Sequence, residues 1–421
     1  MSDKNLKKQL TTMAIAADKA WKEAQQIEAE VKNKALKDMA RTLLLKKSYI
    51  LKENKKDISL ARKNRLPAAF IDRLSLNEKR IKEMSRSLLE IAKLRNPAGE
   101  VIKSWKRPNG LRINKVRSPL GVVLIIYESR PNVTSDCIGL CFKTDNSVIL
   151  RGGSESLNSN IAIYRVLKSV LKNYKIPANL INMVETPSRR AVDILLKLKD
   201  HIDLVIPRGG ESLIRRVAGI SRIPVIKHYK GICHIYVDED ADLNIAEKVC
   251  FNAKVQRPAT CNAMETMLVH KNVAIRFLPG MIKKFKEAGV QIRGCANTKK
   301  IVKGIKSAKE KDYSTEYLDL ILSVKVVDSL AEAVEHINFY GSGHSDAIIT
   351  DNKRVASEFL GKVDSACVYV NASTRFTDGF QFGMGAEMGI STDKLHARGP
   401  MSLEELTTYK YMIFGSGQVR E

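Results

Sequence analysis

The run Val122-Val123-Leu124-Ile125-Ile126-Tyr127 decides the fold class of this 421-residue chain. A short apolar segment rich in β-branched residues is typical of a strand that is buried on both faces of a sheet. Similar strand patterns follow at 148–150, 180–184 and 204–206, and helical patterns at 161–171 and 191–198 lie between them. Alternating strands and helices predict a parallel sheet with helices on both faces, so the fold class is α/β.

A second alternating series predicts a second α/β domain that begins near residue 230. Its predicted strands are 266–269, 290–292, 320–327 and 347–349, with helices over 275–285 and from the capping box at 329–332. The segment 371–400 interrupts this pattern, since it is rich in Gly, Ser, Thr, Asp and Arg and lacks periodicity. A stretch of that length without regular structure is typical of a functional loop or of a disordered one.

The N-terminal part of the chain is predicted to be helical. Apolar residues recur at three- and four-residue spacing over 6–27 and again over 35–44, which places them on one face of a helix. A capping-box pattern at 75–78 predicts the start of a further helix. A helical layer on a sheet and a coiled coil both fit this pattern, and the layer is the commoner arrangement.

A β-hairpin is predicted between the helical part and the first sheet. Two short, charged segments at 101–107 and 111–117 flank Pro108-Asn109-Gly110, and Asn-Gly is a strong signal for a hairpin turn. The edge of an exposed hairpin presents unpaired backbone groups, which suits it to pairing with another subunit. Residues 407–414 are predicted to form a final strand.

The charge balance allows a nucleic-acid-binding protein as one alternative, because 71 basic and 46 acidic residues give a net charge of +25. The lysines are spread through the predicted helices, however, and the chain has no zinc finger, aromatic–basic interleaving or RNA-binding signature. We therefore favour a solvated basic surface and predict no nucleic-acid partner.

The apolar runs and the cysteines indicate the cellular location of the protein and whether disulfides or metal sites are expected. The longest strongly apolar run is too short to span a bilayer and the first residues are polar, so we expect a cytoplasmic protein without a membrane partner. Seven widely spaced cysteines argue against a disulfide framework. Cys137 and Cys141 lack further ligands at metal-site spacing, so they are interpreted as core residues and no metal site is predicted.

One cysteine, Cys261, has a different sequence environment, the segment VQRPATCNAME at 255–265. Polar, turn-forming and cationic residues surround it, a predicted helix ends before it and an apolar strand follows it. Positive charge such as that of Arg257, together with backbone N–H groups, lowers the pKa of a thiol. A small half-buried core residue is the structural alternative. We interpret Cys261 as a candidate thiolate nucleophile.

Two predicted strands end in glycine-rich turns, VILRGGS at 148–154 and LVIPRGG at 204–210. Paired glycines let a ligand approach the backbone, a helix N-terminus behind them favours an anion, and the arginine at each turn strengthens the preference for phosphate. Ligands of open α/β sheets bind at the carboxyl ends of strands, where both turns fall. Tight turns without a ligand are the alternative. The chain has no GxGxxG fingerprint and no Walker lysine loop, which counts against a standard Rossmann domain and a P-loop NTPase.

Further motifs are YESRPNVT at 127–134, KHYKGICH at 227–234, YGSGH at 340–344, VNASTRFTDGF at 370–380 and STDKLHARGP at 391–400. Together with the two glycine turns and the Cys261 segment, they resemble the gamma-glutamyl phosphate reductase (glutamate-5-semialdehyde dehydrogenase) family of the aldehyde dehydrogenase superfamily. The resemblance covers nearly the whole chain. It implies an NADPH-dependent step of proline biosynthesis, in which glutamyl 5-phosphate is reduced to glutamate 5-semialdehyde with release of phosphate.

The resemblance also implies an aldehyde-dehydrogenase-like fold of two parallel-sheet α/β domains and a β-hairpin oligomerisation arm. The cofactor-binding domain is expected over 1–98 and 119–229, the catalytic domain over 230–390, and the arm over 99–118 and 405–421. In this family the hairpin is expected to pair with the C-terminal strand of a neighbouring subunit, which predicts a homo-oligomer. The resemblance allows an association with a glutamate kinase.

In the implied mechanism the Cys261 thiolate attacks the acyl phosphate, an oxyanion forms and collapses with loss of phosphate, and hydride from NADPH reduces the thioester. By resemblance, Asn132 donates to the oxyanion beside the backbone N–H of Cys261, and a turn former after Pro131 is the alternative. Glu316 matches a glutamate that holds the nicotinamide ribose, although a solvated carboxylate at a helix end fits equally well. Arg151 matches a basic position near the adenosine ribose, where it would meet the 2′-phosphate.

The predicted cofactor-binding residues are Arg151, Gly152, Gly153, Ser154, Pro207, Arg208, Gly209, Gly210 and Glu316. The amino-acid end of the substrate needs a cation for its carboxylate and acceptors for its ammonium group, and the leaving phosphate needs further cations. The predicted substrate-binding residues are Asn371, Ser373, Thr374 and Arg375 for the amino acid and Ser129, Arg130, Arg257 and Arg398 for the phosphate. Each arginine fits equally well as a surface or loop-bracing residue.

One difference separates this chain from hydrolytic aldehyde dehydrogenases. They carry a glutamate that activates water on the thioester, and His228 stands at that place here. The loss of the glutamate fits a thioester that exchanges with phosphate. Because a histidine can act as a base, a hydrolytic NAD(P)-dependent aldehyde dehydrogenase stays open as the enzymatic alternative.

Overall fold

The computed structural model describes residues 2–25 and 27–420, which form two compact units. The first unit runs to Lys227 and includes Gly383–Gly389 and the segment from Met401 onward. The second unit contains His228–Phe382 and Ile390–Pro400. The expected ranges 1–98 and 405–421 begin and end at positions outside the described residues. No helix in the described part of the chain is long and apolar enough to cross a membrane.

The first unit begins with a layer of helices, as the apolar spacing predicted. These helices are α1 (Asp3–Ala24), α2 (Ala29–Leu45), α3 (Lys47–Lys63), α4 (Ala68–Leu74) and α5 (Glu78–Lys93). The apolar face of α1 is buried against the first sheet, where Leu10 packs in one core with Leu124 and Val205. The layer on a sheet is therefore the arrangement formed.

The capping box predicted at 75–78 is wrong in its capping residue. Helix α5 begins at Glu78, and its N-cap is Asn77, whose side chain accepts a hydrogen bond from the N–H of Arg80 (2.8 Å). The Ser75 hydroxyl instead donates back to the carbonyl of Ile71 (2.7 Å) in α4. Ser75 thus belongs to the end of one helix and not to the start of the next.

The hairpin forms where the Asn-Gly signal placed it. Strands β1 (Val101–Lys106) and β2 (Arg112–Pro119) are antiparallel, with Trp105 opposite Ile113. Gly110 has φ of +90°, a conformation that other residues disfavour, and its N–H donates to the carbonyl of Arg107 (2.9 Å).

The first sheet is parallel and its order is β5–β4–β3–β6. Its strands are β3 (Val122–Tyr127), β4 (Ser147–Arg151), β5 (Ile181–Met183) and β6 (Leu204–Arg208). The helices are α6 (Pro131–Lys143), α7 (Leu157–Leu171), α8 (Arg189–Leu195) and α9 (Glu211–Ile220), with 3₁₀ turns Ser154–Ser156, Lys172–Tyr174 and Ala178–Leu180. The chain moves outward from β3 to β5 and returns to β6 on the other side of β3. The carboxyl ends of β3 and β6 therefore flank a topological switch point, where open α/β sheets bind ligands.

The second unit holds a parallel sheet of order β10–β9–β11–β8–β7–β12–β13. Its strands are β7 (Cys233–Val237), β8 (Met264–His270), β9 (Gln291–Gly294), β10 (Lys306–Ser307), β11 (Ile321–Val327), β12 (Ser345–Ile349) and β13 (Cys367–Val370). Its helices are α10 (Leu243–Val255), α11 (Lys271–Glu287), α12 (Ala296–Ile301), α13 (Glu310–Tyr313), α14 (Leu330–Tyr340) and α15 (Lys353–Lys362). The predicted cap of α14 is confirmed, since the Ser329 hydroxyl accepts the N–H of Glu332 (3.2 Å).

The predicted irregular segment 371–400 is mostly loop. It contains the 3₁₀ turn Thr374–Phe376 and the paired strands β14 (Gly389–Ser391) and β15 (Gly399–Met401), and a further 3₁₀ turn Glu404–Leu406 follows. The last strand, β16 (Thr407–Phe414), has the predicted limits.

The expected pairing of the hairpin with a neighbour's C-terminal strand is wrong for β2. The chain's own β16 pairs antiparallel with β2 along its whole length, from Thr407 opposite Pro119 to Phe414 opposite Arg112. Both edges of β2 are therefore paired within the same chain. The outer edges of β1 and β16 are the edges of this three-stranded sheet that face outward.

Candidate active site

Cys261 lies in a loop at the amino end of the second sheet, after α10 and before β8, and its side chain is partly exposed. Its backbone is tightly enclosed. A Cβ added at Gly231 would lie 1.9 Å from the Cys261 carbonyl oxygen, so only glycine fits there. The Cys233 thiol donates to the same carbonyl (3.2 Å). The nucleophile candidate thus has a tightly enclosed backbone in a residue that is partly exposed.

Burial makes other cysteines poor nucleophiles. It raises the pKa of the Cys137 thiol to about 12, and it raises the pKa of Cys141, Cys233 and Cys250 as well. Cys137 and Cys141 are core residues of α6, as predicted. Cys295 is also partly exposed, but its sulfur accepts the N–H of Thr298 (3.4 Å) at the start of α12. Among the described residues, no group of three or more His, Cys, Asp and Glu side chains could hold a metal ion.

The polar loop after β13 is joined to the Cys261 segment by Asn262. The Thr374 hydroxyl donates to the Asn262 carbonyl (2.8 Å), and Asn262 Nδ2 donates to the Thr377 carbonyl (2.9 Å). Residues predicted to bind the substrate therefore lie beside the candidate nucleophile. Asn262 was missed in the sequence analysis, although its position next to Cys261 was a signal.

Three of the predicted substrate-binding side chains are engaged within the protein. Asn371, at φ of +55°, pairs its amide with the backbone N–H and carbonyl of Thr350 (3.0 and 2.9 Å). The Ser373 hydroxyl accepts the N–H of Arg375 (3.3 Å), and Thr374 is fully buried. These contacts shape the loop around Arg375.

Arg375 is partly exposed, and its Nε donates to Gln256 Oε1 (3.0 Å) at the end of α10. Burial lowers the pKa of its guanidinium, and the charge of nearby Arg257 lowers it further. Two neighbouring guanidinium groups favour an anion, because each is destabilised by the other until a negative charge binds. Arg375 itself lies beside the Cys261 segment, because Asn262 Nδ2 donates to its carbonyl (3.4 Å).

Glu316 is also tied to the nucleophile segment. Its Oε1 accepts the N–H of Gly231 (2.9 Å), the residue that packs on the Cys261 carbonyl. A simple solvated carboxylate is therefore a poor description of Glu316. Its loop is anchored two residues later, where the N–H of Leu318 donates to Glu265 Oε1 (3.1 Å).

Glu265 belongs to a fully buried ion pair with Lys254, at 2.6 Å between Oε2 and Nζ. Burial raises the pKa of Glu265 to about 7 and lowers the pKa of Lys254. Removing one partner of such a pair leaves an uncompensated charge in the interior. The pair links α10 and β8, which flank Cys261, with the Glu316 loop. Neither residue was singled out from the sequence, because its pairing is visible only in three dimensions.

His228 packs edge-on against the ring of His344, with ring centroids 5.9 Å apart. Burial lowers the pKa of His344 to about 3, so that ring is neutral at physiological pH. Its Nδ1 lies 2.8 Å from the Ser345 hydroxyl.

The predicted phosphate ligand Arg398 pairs instead with Asp364, whose Oδ1 and carbonyl accept from Nη1 and Nη2 (3.0 and 3.1 Å). This favours the loop-bracing alternative for Arg398.

In the first unit, the segment after β3 carries Ser129, Arg130 and Asn132. The Ser129 hydroxyl is buried and donates to Glu155 Oε2 (3.0 Å). Arg130 is exposed at the N-cap of α6. Asn132 is exposed in the first turn of α6, with Nδ2 3.5 Å from Asp136 Oδ2, so it is a helical residue and not part of a turn.

The first glycine turn is built around a buried arginine. The Arg151 guanidinium donates to the carbonyls of Gly152 (2.9 Å) and Pro187 (3.0 Å), and burial lowers its pKa. A Cβ at Gly152 would lie 2.1 Å from Asn160 Nδ2. These contacts fit the alternative of a tight turn held by its own side chains, while Ser154 remains exposed beside it.

The second glycine turn already holds an anion. Gly210 N–H, at the start of α9, donates to Glu128 Oε1 (3.0 Å), and a Cβ at Gly209 would lie 2.5 Å from the Glu128 carboxyl carbon. Pro207 and Arg208 belong to β6, and Arg208 Nη1 reaches the Glu387 carbonyl (3.4 Å). The carboxylate of Glu128 therefore occupies the anion position that the sequence predicted for a phosphate, at the switch point of the sheet.

A parallel-sheet α/β fold with a partly exposed cysteine at the amino end of one sheet defines a class of proteins suited to thiol chemistry. The model of the aldehyde dehydrogenase family matches residues 3–300. The gamma-glutamyl phosphate reductase of Thermodesulfovibrio yellowstonii is 56% identical over 392 residues, which cover 93% of this chain and 94% of that protein. The chain belongs to the aldehyde dehydrogenase family and, within it, to the gamma-glutamyl phosphate reductases.

Solved structures agree with this assignment. The gamma-glutamyl phosphate reductase of Thermotoga maritima is 47% identical, with a TM-score of 0.96, and the match covers 98% of this chain and 100% of that chain. A glyceraldehyde-3-phosphate dehydrogenase from Methanocaldococcus jannaschii, complexed with NADP, is 15% identical with a TM-score of 0.67 over 97% and 95% of the two chains, so it shares the fold. The predicted family and fold class are confirmed, and the cofactor class of the aldehyde dehydrogenase family is the nicotinamide dinucleotides.

Proposed function

We propose that this protein reduces L-glutamyl 5-phosphate to L-glutamate 5-semialdehyde and phosphate with NADPH, as a step of proline biosynthesis. The reductases that it matches over nearly its full length support the reaction. The observation that carries the mechanism is Cys261, a partly exposed residue whose carbonyl packs against Gly231 and accepts a hydrogen bond from the Cys233 thiol. The hydrolytic alternative differs in needing no phosphate.

The first chemical step is assigned to Cys261. Its thiolate attacks the acyl carbon and forms a C–S bond. The bond between the acyl carbon and the bridging oxygen then breaks, and phosphate leaves with the bonding electrons. The charge on the tetrahedral oxygen needs donors placed in advance. Asn132 and the backbone N–H of Cys261 are the proposed donors, and Ser129, Arg130 and Arg257 are proposed for the departing phosphate.

The nicotinamide cofactor is proposed to bind the first unit at the carboxyl ends of its strands. The Glu128 carboxylate at the N-terminus of α9 is a stand-in for a phosphate, which supports an anion site at Gly209 and Gly210. When bound, the reduced cofactor supplies the hydride that brings the thioester to the aldehyde level. Glu316 remains the proposed ligand of the nicotinamide ribose.

NADPH is proposed over NADH because the cation Arg151 lies at the end of β4. Burial lowers its pKa most, the charge of Glu155 raises it, and the charge of Arg189 lowers it. Gly152, Gly153 and Ser154 complete this proposed site. An additional phosphate there would be favoured by the positive charges of Arg151 and Arg189. Measuring KM for NADPH and NADH in Arg189→Ala tests this, with a rise confined to NADPH expected.

Arg375 is proposed to bind the α-carboxylate of the amino acid, within the loop formed by Asn371, Ser373 and Thr374. Arg398 is retained as a weaker proposal, because Asp364 already neutralises it. His228 is proposed to replace the glutamate that activates water in hydrolytic aldehyde dehydrogenases. Without that carboxylate, the thioester is proposed to exchange with phosphate and not to be hydrolysed.

The arm of β1, β2 and β16 is proposed to join subunits of a homo-oligomer. Tyr411, Ile413 and Phe414 of β16 are exposed on it. An association with a glutamate kinase and a cytoplasmic location are proposed from the pathway. Light scattering coupled to size-exclusion chromatography measures the subunit number directly.

The test of the function is NADP reduction by L-glutamate 5-semialdehyde, run with and without phosphate. We expect turnover only with phosphate, and we expect Cys261→Ser to abolish it while the thermal unfolding temperature is kept. Cys295→Ser is the matched control, because it changes the other partly exposed cysteine far along the chain. Phosphate-independent turnover would favour the hydrolytic alternative, and substantial turnover by Cys261→Ser would refute the proposed nucleophile.

A further inference from the structure

Asn262 makes three hydrogen bonds that connect the nucleophile segment to the loop after β13. Its side chain is 5% exposed. Its Nδ2 donates to the carbonyls of Thr377 (2.9 Å) and Arg375 (3.4 Å), and its own carbonyl accepts from the Thr374 hydroxyl (2.8 Å). The residue next to Cys261 therefore holds the backbone of Arg375 directly.

The loop that Asn262 binds is itself fixed to the sheet. The Thr377 hydroxyl lies 2.6 Å from the Ser345 hydroxyl on β12 and 2.7 Å from the Tyr369 hydroxyl on β13. Thr377 and Ser345 are buried. Because buried hydroxyl groups that lose their partners are costly, this network keeps the loop in one arrangement.

The Arg375 side chain is oriented from the other direction. Gln256 Oε1 accepts from Nε (3.0 Å), and the described residues offer no hydrogen bond to the terminal nitrogens Nη1 and Nη2. A guanidinium held at Nε presents its terminal pair for bidentate binding of a carboxylate. Its backbone is joined to the residue next to Cys261, since Asn262 Nδ2 donates to the Arg375 carbonyl (3.4 Å), and the charge of Cys261 raises the pKa of this guanidinium.

We propose that Asn262 is the positioning residue that sets the separation between the Cys261 sulfur and the Arg375 guanidinium, and with it the length of the amino-acid chain that is accepted. This proposal rests on the proposed function, in which Arg375 binds the α-carboxylate and Cys261 attacks the carbonyl at the other end. We expect a substrate one methylene shorter to engage both groups less well, because Asn262 fixes the loop that carries Arg375 relative to Cys261. Asn262 touches neither reacting atom, and it acts through its neighbours.

The first test is a comparison of Asn262→Ala with the wild type. Loss of two ordinary hydrogen bonds corresponds to about tenfold in binding. We expect KM for L-glutamate 5-semialdehyde to rise about tenfold, with a smaller fall in kcat. The preference for this aldehyde over L-aspartate 4-semialdehyde, as a ratio of kcat/KM values, is expected to fall by a similar factor. Asn297→Ala, an exposed asparagine on α12, is the matched control and is expected to change neither value.

A second readout needs no turnover. Cys261 is alkylated with iodoacetate, which carries a carboxylate, and with neutral iodoacetamide, and the modified Cys261 peptide is quantified by mass spectrometry. We expect the ratio of the two rates to fall at least about threefold in Asn262→Ala, because Arg375 no longer guides the anion to the thiol. A purely structural role would slow both reagents together and leave the ratio unchanged, which would overturn the proposal.

Thr374 provides a pair of variants in case Asn262→Ala does not fold. Thr374→Val keeps the shape but removes the donor to Asn262, and Thr374→Ser keeps the hydroxyl. The proposal expects a higher KM in Thr374→Val than in Thr374→Ser, and equal KM values would contradict it. If the wild type shows no phosphate-dependent turnover, the proposed function fails. If the wild type shows phosphate-dependent turnover, but Asn262→Ala keeps the wild-type aldehyde preference and the wild-type ratio of alkylation rates, only the inference about Asn262 fails.

Discussion

Gly231→Ala is the substitution for which the structure sets the sharpest expectation. The new methyl carbon would lie 1.9 Å from the Cys261 carbonyl oxygen and 2.5 Å from the Cys261 Cα, whereas ordinary van der Waals contact begins near 3.4 Å. The obstructing atoms are backbone, so no side-chain rotation relieves the contact. One of the two segments must move by about 1.5 Å.

The size of that movement sets the expected loss of activity. A displacement of about 1 Å at a reacting group costs on the order of 100-fold in rate, so we expect kcat/KM to fall by about 100-fold or more. Overpacking of this kind costs ~1–3 kcal/mol of stability. That cost lowers the unfolding temperature by only a few degrees in a chain of this size. We therefore expect Gly231→Ala to lose most of its activity while it remains folded at the assay temperature.

The assay is phosphate-dependent NADP reduction by L-glutamate 5-semialdehyde, together with the rate of Cys261 alkylation and the unfolding temperature. Gly361→Ala is the matched control, because this glycine of α15 has no atom within 4 Å of the added carbon. The control is expected to keep wild-type kcat/KM. If Gly231→Ala retains kcat/KM within threefold of the wild type, the claim that this glycine fixes the nucleophile is refuted.

Lys254→Met leaves Glu265 buried without its partner and is expected to destabilise the protein by ~3–5 kcal/mol in chemical denaturation. The double variant Lys254→Met with Glu265→Gln should recover most of that stability. If it recovers none, loss of the ion pair is not the cause. The Glu265 pKa is raised from 4.5 to about 7, so the folded state holds this proton more tightly than the unfolded chain. Its contribution to the free energy of unfolding is therefore present at low pH and is lost as the pH rises from about 5 to about 7, a slope that Glu265→Gln should remove in denaturation curves. Glu128→Gln removes the negative charge beside the Gly210 N–H and is expected to tighten NADP binding several-fold in fluorescence titration; weaker binding would show that Glu128 does not compete with the cofactor phosphate.

The sequence predicted the order of elements well where local pattern and burial agree. The run 122–127 becomes β3 with the same limits, and 407–414 becomes β16. Strands with polar or mixed composition were not predicted: β7 contains His234, which is buried because Asp346 lies 2.9 Å from its ring, a partner far away in the chain. A buried polar residue satisfied at long range carries no periodic signal.

The candidate site divides in the same way. Cys261 was found because its local sequence, between a helix and a strand, is unusual for a buried cysteine. The glycine turns were found, yet the sequence could not show that Arg151 closes the first and Glu128 fills the second. Gly231 looked like an ordinary loop glycine, and its role depends on a backbone 30 residues further along the chain.

The amino-acid sequence by itself determined the α/β class, the alternation of strands and helices, the family and the candidate nucleophile, because each of these depends on residue types at short spacing. The tertiary structure alone decided how close Gly231 lies to Cys261, which side chains hold Arg375, and which strand fills the edge of β2. Those distances follow from packing and hydrogen bonds between segments far apart in the chain, and no local pattern encodes them.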